Sequence, residues 1–351
     1  MFLQILIPYL YVAISFVSAF TYGNNIYTAD FDTEARTFSN IVATPALDAS
    51  FIIKDEDGYF AVSENDDAPG AYTFSPDLKE ISHISSGVGE SPCNIYRDKK
   101  HNLVYTANYG SGTISVLKLD RRNRIKKVAA TLEFEGSGPK VDQQSHPRIH
   151  QVFALNDDWL LANDLGADCI RILKVNPKTG MPSHISDFNL PAGCGPRIMT
   201  FNSDHSIIYL VTELSREVYV IRPDLGGDVP SFELVQRVKC DDYDDARGGA
   251  DVCVHPSGKW LYASMRLEHE GIARFGIKPD GTLEYLDYTL TGSHPRSFSI
   301  TPDGGTLLAA CVFSEFVQVF AINDEGELIP ANTQLKLGEE RPTCVQTGYQ
   351  N

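Results

Sequence analysis

Three signatures of common active sites and processing are missing from this 351-residue sequence. No cysteine pair has the C-x-x-C spacing of a zinc site, no G-x-S-x-G motif marks a serine nucleophile, and no N-x-[ST] sequon is present. The seven cysteines are scattered, so at least one thiol is unpaired within a monomer and their spacing defines no disulfide framework. A zinc enzyme and a serine hydrolase of that type are therefore not expected.

Basic residues are scarce relative to acidic ones, with 30 Lys and Arg against 46 Asp and Glu and a formal net charge of −16. A charge of this sign repels nucleic acid and anionic membranes, and at long range it also repels anionic metabolites. An anionic substrate would therefore need a local cluster of arginines. No motif implies a metal or an organic cofactor.

Charge is also absent at the N-terminus, where Asp30 is the first charged residue. The opening segment MFLQILIPYLYVAISFVSA is apolar, and Val17-Ser18-Ala19 has the small-x-small form of a signal-peptidase site. We predict a secretory signal over residues 1–19 and one domain over residues 20–351, secreted without stable membrane association. Since no Lys or Arg precedes the apolar run, the alternative is an uncleaved anchor through residues 2–19.

What the sequence does contain is an internal repeat. Compare CNIYRDKKHNLVYTANYGSGTISVLKLD with RIMTFNSDHSIIYLVTELSREVYVIRPD, each of which is typical of three strands separated by polar turns. Each repeat carries an aromatic or leucine anchor on its predicted second strand, and most anchors are about 45 to 55 residues apart, near the blade period of β-propellers. The anchors are Tyr27, Phe60, Tyr105, Leu160, Tyr209, Tyr262 and Leu308.

These seven anchors predict an all-β fold, a seven-bladed β-propeller closed by pairing of its N- and C-terminal strands. The first interval is shorter than the others, and the terminal segment RPTCVQT resembles a first strand that lacks partners. We therefore expect the two chain ends to share one blade, which would protect the edges of the sheets. A β-sandwich or a two-domain all-β protein is the alternative, and it does not explain anchors in register.

Polar residues that differ between the repeats mark a candidate site. His150, Arg197 and Arg296 fall at the start of predicted first strands, while Glu213 and Arg266 fall at the end of predicted second strands. Because the two strands are antiparallel, both positions belong to the same end of the propeller, near its channel. We expect these five side chains to converge at one mouth of the channel.

The residue types at this mouth fit chemistry on an anion. Arginine binds carboxylate or phosphate and stabilises a developing oxyanion, whereas histidine moves a proton near neutral pH. Structural explanations remain open at this point. In one such explanation, Arg197 and Glu213 form a structural ion pair. In another, His150 is a hydrogen-bonded residue of its blade. Arg266 is then a solvated surface charge, and Arg296 belongs to a His-Pro turn.

The same residues carry a family resemblance. The segment GCGPRIMTF, followed by LVTELSREVYV, resembles a signature of the 6-phosphogluconolactonase-like propeller lactonases. The segments ADVCVHPSGKWLYASMR, HPRSFSITPDGG and RPTCV resemble later blades of that family, and the similarity extends from about Tyr22 to the C-terminus. One departure is Cys253, which stands where relatives often have a histidine.

The resemblance implies a seven-bladed propeller and, as in the bacterial members, hydrolysis of 6-phosphogluconolactone. A related fungal branch, the carboxy-cis,cis-muconate cyclases, forms a lactone from a diene carboxylate with a proposed centre of one His, two Arg and one Glu. Those residues match His150, Arg197, Arg266 and Glu213. The predicted secretory leader departs from the cytosolic setting of a pentose-phosphate enzyme.

Three functions follow as hypotheses. The first is a lactonase that hydrolyses a sugar or organic-acid lactone, with His150 or Glu213 activating water, Arg197 and Arg266 holding the anion, and Arg296 adding to substrate binding. The second is a cycloisomerase of the muconate cyclase type. The third is a secreted, non-catalytic propeller that binds a ligand or a protein through another surface. A small anionic lactone or carboxylate is the partner that the first two share.

Overall fold

A computed structural model describes residues 14–243 and 247–349, with side chains described for residues 21–243 and 247–348. It is an all-β propeller. Within the described residues, antiparallel strands form seven four-stranded sheets. The chain starts with three strands of a sheet that we call the terminal sheet: β1 (Ile14–Tyr22), β2 (Asn25–Asp32) and β3 (Thr37–Pro45).

Six further sheets follow, each built from consecutive strands and numbered first to sixth along the chain. The first three contain β4 (Phe51–Asp55), β5 (Gly58–Ser63), β6 (Gly70–Phe74) and β7 (Glu80–Ile84); β8 (Pro92–Asp98), β9 (Leu103–Asn108), β10 (Thr113–Leu119) and β11 (Ile125–Leu132); and β12 (Ile149–Asn156), β13 (Trp159–Asp164), β14 (Cys169–Val175) and β15 (Pro182–Asn189). A short helix, α1 (Val141–Gln144), lies between the second and third sheets.

The remaining strands complete the fourth, fifth and sixth sheets and return to the terminal one. They are β16 (Pro196–Phe201), β17 (Ile208–Thr212), β18 (Glu217–Asp224) and β19 (Ser231–Lys239); β20 (Gly249–Val254), β21 (Trp260–Met265), β22 (Gly271–Ile277) and β23 (Leu283–Leu290); β24 (Pro295–Ile300), β25 (Thr306–Cys311), β26 (Phe316–Ile322) and β27 (Leu328–Lys336); and finally β28 (Arg341–Tyr349). A 3₁₀ turn (Val312–Ser314) follows β25.

The terminal sheet has the strand order β28-β1-β2-β3, so the last strand of the chain is its first strand. This order corrects one anchor of the repeat, because Tyr27 lies on β2, the third strand of its sheet, and not on a second strand. The other six anchors do lie on second strands. The short first interval therefore has a simple cause: the chain enters the terminal sheet at its second strand.

Burial decreases from the inner strands to the outer ones. The second strand β5 is buried at every position, whereas the fourth strand β15 is mostly exposed. A continuous buried run is typical of a strand covered on both faces, which happens here because neighbouring sheets pack face to face. Each adjacent pair of sheets encloses its own cluster of buried apolar residues, including the pair formed by the sixth and terminal sheets.

Three anchor tyrosines also join neighbouring sheets by hydrogen bonds. Tyr209 donates from its hydroxyl to the carbonyl of Gly281 in the fifth sheet at 3.0 Å, and Tyr262 donates to Gly326 in the sixth sheet at 2.6 Å. Tyr105 donates in the same way to Gly180. A buried tyrosine needs such a partner for its hydroxyl. At these three anchors the polar end of the tyrosine, as well as its ring, therefore stabilises the packing of neighbouring sheets.

The N-terminal prediction meets the fold at β1. Residues 1–13 of the predicted signal lie outside the described residues, whereas residues 14–19 belong to β1 and pair with both β2 and β28. Cleavage after Ala19 would thus remove most of β1. No helix in the described part of the chain is long and apolar enough to cross a membrane.

Candidate functional site

The candidate residues on first strands sit where the strand pairing is irregular. Pairing of the first and second strands skips one residue of the first strand in several sheets, and His150, Arg197 and Arg296 are skipped residues. A bulge of this kind leaves one residue out of the ladder and redirects its side chain. The irregularity explains how a strand that is otherwise apolar presents a charged side chain to the channel.

A cavity lies where the first strands of all the sheets approach one another. Adjacent first strands contact each other in the circular order β4, β8, β12, β16, β20, β24, β28 and back to β4. The cavity, called the channel cavity below, encloses about 310 Å³ including its opening to solvent. Each sheet contributes one or more residues to its lining, among them Phe51, Cys93, His150, Arg197, Asp251, Arg296 and Thr343. The structure thus brings the three predicted first-strand residues together.

Glu213 joins two of the predicted arginines. It directly follows β17, and its Oε2 atom accepts a hydrogen bond from Arg197 Nε at 3.1 Å and another from Arg266 Nη2 at 2.6 Å. Burial by itself would raise the pKa of Glu213, but Arg266 and Arg197 outweigh burial and hold that pKa below its usual value. The carboxylate is therefore ionised and shares its Oε2 atom between two arginines, which makes it better suited to orient them than to accept a proton.

Arg197 is buried in this arrangement, with 4% of its side chain exposed. Besides its ion pair with Glu213, Arg197 donates from Nη1 to the carbonyl of Ala250 at the start of β20. Counting twelve residues back from the anchor Tyr262, as from Tyr209 to Arg197, gives Ala250. The register shift in β20 gives the lining position to Asp251 instead. The guanidinium of Arg197 is thus fixed between the fourth and fifth sheets.

His150 is an uncharged base in this cavity. Burial, together with the positive charges of Arg197 and Arg266, lowers its pKa well below the usual value. Its Nδ1 atom is buried and has no hydrogen-bond partner among the described residues. The edge of the ring contacts Tyr109, with centroids 5.7 Å apart in a T-shaped arrangement. The imidazole is therefore neutral and available for hydrogen bonding at neutral pH.

Arg266 has a second partner that the sequence did not reveal. Its Nη1 atom lies 3.1 Å from Nε2 of His294, which accepts the hydrogen bond as a neutral ring. Burial and then Arg266 and Arg197 lower the pKa of His294 to about 3. His294 precedes β24 with a left-handed φ of 62°, and its ring packs against Phe313 with centroids 4.4 Å apart. The signal lies in the His-Pro-Arg segment, in which the repeat position selects Arg296 and leaves the histidine as part of a turn.

Arg296 pairs with a different carboxylate. Its Nη2 atom donates to Oε2 of Glu64 at 2.9 Å, and its guanidinium lies 4.9 Å from the centroid of the Tyr22 ring. Glu64 directly follows β5 and occupies in its sheet the position that Glu213 occupies in the fourth sheet. There are therefore three arginine–glutamate pairs at this end of the described sheets. Glu213 pairs with Arg197 within the fourth sheet and with Arg266 of the fifth, whereas Glu64 pairs with Arg296 of the sixth.

No group of three or more His, Cys, Asp or Glu side chains in residues 21–243 and 247–348 is arranged to hold a metal ion. The arrangement contains instead a neutral imidazole, arginines for an anion and carboxylates that neutralise part of the arginine charge. Such a set fits acid–base chemistry on a substrate with negative charge. The molecule is thus a propeller with a polar cavity, lined in part by His150, Arg197 and Arg296, where its first strands meet.

The family is established by comparison with known proteins. Residues 14–347 match the family model described as "Lactonase, 7-bladed beta-propeller". This chain therefore belongs to the seven-bladed β-propeller lactonase family. Membership confirms the resemblance found in the sequence and the prediction of an enzyme of the lactone hydrolase class.

Two curated relatives cover most of the chain. A 6-phosphogluconolactonase of Formosa agariphila is 31% identical over 329 residues, which span 87% of this chain and 91% of the relative. A 6-phosphogluconolactonase of Bacillus subtilis is 27% identical, and the match spans 85% of this chain and 87% of the relative.

Solved structures share the architecture over nearly their whole length. A provisional 6-phosphogluconolactonase of Bacteroides fragilis is 30% identical, with a TM-score of 0.87 over 97% of this chain and 99% of the other. A periplasmic gluconolactonase of Pseudomonas aeruginosa is 20% identical, with a TM-score of 0.85 over 96% of this chain and 99% of the other. The second likeness is one of fold alone.

Proposed function

We propose that this protein hydrolyses an anionic lactone of a sugar or an organic acid in the channel cavity. The observation that carries the proposal is an uncharged His150 lining the same buried cavity as Arg197, which Glu213 links to Arg266. Relatives that cover most of the chain are named 6-phosphogluconolactonase, so 6-phosphogluconolactone is the first substrate to test.

In the proposed reaction His150 removes a proton from water as its oxygen attacks the carbonyl carbon of the lactone. The carbonyl π electrons move to oxygen, and Arg197 and Arg266 stabilise the resulting tetrahedral oxyanion. Collapse of this intermediate breaks the ring C–O bond. The leaving alkoxide takes the proton from His150, and the product is an open-chain hydroxy acid that ionises at neutral pH.

A low pKa makes free His150 a weak base, and substrate charge offers a way to strengthen it. Burial lowers the pKa of His150 first, and repulsion by Arg197 and Arg266 lowers it further. An anionic substrate beside the arginines would cancel part of that repulsion. Binding of the anion would then raise the pKa of His150 towards the working pH, at which a general base is most effective. This coupling favours anionic over neutral lactones.

The test is direct. Purified protein is mixed with a panel of lactones that includes 6-phosphogluconolactone, and acid release is compared with spontaneous hydrolysis. We expect acceleration that is lost in Arg197→Ala and kept in Arg222→Ala, a matched variant in an exposed ion pair. Absence of acceleration across the panel would overturn the proposal. Ring closure of a muconate without consumption of water would identify the cycloisomerase instead.

For the fold, we infer that the seven sheets are the seven blades of a ring that the pairing of β28 with β1 closes. The pairing runs through most of β1, and a buried cluster with Ile26 and Cys344 packs the terminal sheet on the first. Closure of this kind leaves no first or last blade with a free inner edge.

For localisation, we propose that the apolar N-terminal segment directs the chain into the secretory pathway. The support is its composition, since charge is absent before Asp30 and the Val17-Ser18-Ala19 sequence resembles a cleavage site. Fusion of the first 30 residues to a reporter, about the length of such a leader, tests export. A reporter that stays in the cytosol would contradict this proposal.

A further inference from the structure

The ion pair between Arg296 and Glu64 spans the terminal sheet. Arg296 belongs to the start of the sixth sheet and Glu64 to the first sheet, whereas β28 of the terminal sheet lies between their first strands. The Arg296 side chain crosses this gap over the ring of Tyr22, at the end of β1, and reaches Oε2 of Glu64 at 2.9 Å.

This pair separates two spaces. Arg296 lines the channel cavity together with His150 and Arg197, whereas Glu64 and Tyr22 line an open cleft on the outside. The side chains of Arg296 and Glu64 are 12% and 15% exposed, so each is within reach of a small solute. Whatever replaces Glu64 on Arg296 would occupy the boundary between the cleft and the cavity.

We propose that Arg296 is a second anion subsite of the channel cavity and that Glu64 is its displaceable internal counter-ion. Arg296 bonds Glu64 through Nη2 and also lines the channel cavity, so an anionic group bound in that cavity takes the place of the carboxylate on the guanidinium. The identity of this anionic group rests on the proposed function. The group would be a phosphate or carboxylate of the substrate, at a distance from the lactone carbonyl. A dianionic lactone would then engage Arg197 and Arg296 at its two ends.

Glu64 is suited to leave because its charge is only weakly held. Burial raises the pKa of Glu64 to about 7, even though Arg197 and Arg266 lower it. The ion pair with Arg296 also favours the ionised form. The negative charge of Asp66 acts in the opposite direction and raises the pKa of Glu64. Three further charged side chains line the cleft beside Glu64. These are Asp48, Asp67 and Arg341.

The histidines near the site do not titrate in the range where Glu64 does. The pKa of His150 is well below its usual value, and that of His294 is about 3. Asp251 is a second carboxyl of the cavity whose pKa burial raises, so the loss of the pH dependence in Glu64→Gln is what assigns that dependence to Glu64. Below pH 7 its carboxyl is increasingly protonated and releases Arg296; above pH 7 it is increasingly ionised and holds Arg296. Affinity for an anion should rise as pH falls, by about tenfold from pH 8 to pH 6.

The probe is sulfate, which has a constant charge over this range, and binding is measured by isothermal titration calorimetry on the whole protein. We expect wild-type affinity to increase about tenfold from pH 8 to pH 6. Glu64→Gln should bind sulfate about tenfold more tightly than the wild type at pH 8 and show little pH dependence. Arg296→Gln and the double variant should lack both effects, and the exposed control Glu233→Gln should behave as the wild type.

Two results would overturn the proposal: equal sulfate affinity of the wild type at pH 6 and pH 8, or tight binding that persists in the double variant. The wild-type titration needs no substitution, so misfolding of a variant does not spoil the test. Lactone hydrolysis is assayed separately. Loss of the pH effect with hydrolysis intact would refute only the subsite, whereas the pH effect without hydrolysis would refute only the proposed function.

Discussion

Arg266 donates from Nη2 to Oε2 of Glu213 at 2.6 Å, although the two residues belong to neighbouring sheets. The same oxygen also accepts from Arg197, so one carboxylate pairs with two guanidinium groups and offsets half of their charge. A buried charge is costly unless it is paired and hydrogen-bonded. Glu213 therefore offsets the repulsion between the two arginines, while the Ala250 carbonyl and His294 help to hold them in place.

Glu213→Gln tests that offset. The amide keeps the size of the side chain but removes its charge, which leaves Arg197 and Arg266 to repel each other in a buried site. We expect kcat/KM for an anionic lactone to fall by about 100-fold, on the order of a lost transition-state contact. We also expect a free energy of unfolding about 3 kcal/mol lower, as for a broken buried pair. Steady-state kinetics and urea denaturation measure the two effects.

Glu233→Gln is the matched control, since Glu233 pairs with Arg222 on the exposed surface. An exposed ion pair contributes about 0 to 1 kcal/mol, so this variant should retain activity and stability. Equal behaviour of the two variants would mean that Glu213 has no special part in holding the arginines.

The lowered pKa of His150 predicts that the acid limb of the pH profile of kcat/KM lies at a lower pH than for an ordinary histidine. Because burial, Arg197 and Arg266 lower that pKa, the base stays unprotonated as the pH falls through the range where an ordinary histidine is protonated. With an uncharged lactone, kcat/KM should therefore stay level from about pH 8 to about pH 6. His150→Gln should lower it by about 100-fold or more, the contribution of a general base.

His184→Gln provides the control for this change, because His184 is exposed on β15. The same pKa shift has a consequence for stability. In the unfolded chain His150 takes up a proton below its ordinary pKa and in the folded protein it does not, so the free energy of unfolding should fall as the pH drops below about 6.5. A kinetic acid limb near pH 6.5 that disappears in His150→Gln would contradict a lowered pKa.

Much of this arrangement was predictable because it follows from the repeat. The strand positions of Arg197 and Glu213 place both at one end of a blade, and the structure pairs them there. The repeat also predicts the position of Arg266, which the structure joins to Glu213 from the neighbouring sheet. Spacing within a repeat is enough for these results, because each blade has the same order of antiparallel strands.

The remaining features depend on irregular backbone or on contacts between distant sheets. Asp251 lines the cavity in place of Ala250 because β20 shifts its register, which no periodicity predicts. Glu64 reaches Arg296 across the terminal sheet; the repeat puts both at the same end of their blades, but no spacing predicts that they pair. Tyr27 was assigned to a second strand because the true first strand of its sheet is at the other end of the chain.

Substitution of Tyr209 tests whether an anchor tyrosine stabilises the protein through the hydrogen bond of its hydroxyl group. Tyr209→Phe removes the hydroxyl that donates to Gly281 at 3.0 Å and leaves that carbonyl without this partner. We expect the free energy of unfolding to fall by about 1 to 3 kcal/mol, the cost of an unsatisfied buried group. Activity should be unchanged, because Tyr209 lies near the start of β17 and Glu213 follows its end.

Chemical denaturation of Tyr209→Phe is compared with Tyr285→Phe, where the ring is 43% exposed. The second variant should have the stability of the wild type. If both variants were equally stable, packing of the ring alone would account for the anchor, and the hydrogen bond between sheets would contribute nothing.

The proposed cleavage after Ala19 would have a consequence for stability that a truncation can measure. A chain that starts at Phe20 lacks residues 14–19, which pair with β28 on one side and β2 on the other. Its β28 would have an unpaired edge along most of its length, so we expect a lower melting temperature and a tendency to self-associate. A chain that starts at Ile14 is the matched control. It should have the melting temperature of the untruncated chain and no added tendency to self-associate.

The intact mass of the protein, measured after export, then distinguishes a chain that begins at Phe20 from one that retains residues 14–19. A mass that begins at Phe20 confirms cleavage after Ala19 and requires the shorter chain to fold with a truncated β1. A mass that includes residues 14–19 places any cleavage earlier and leaves β1 complete. If the two truncated chains melted at the same temperature, pairing of residues 14–19 with β28 would contribute nothing to the stability of the ring.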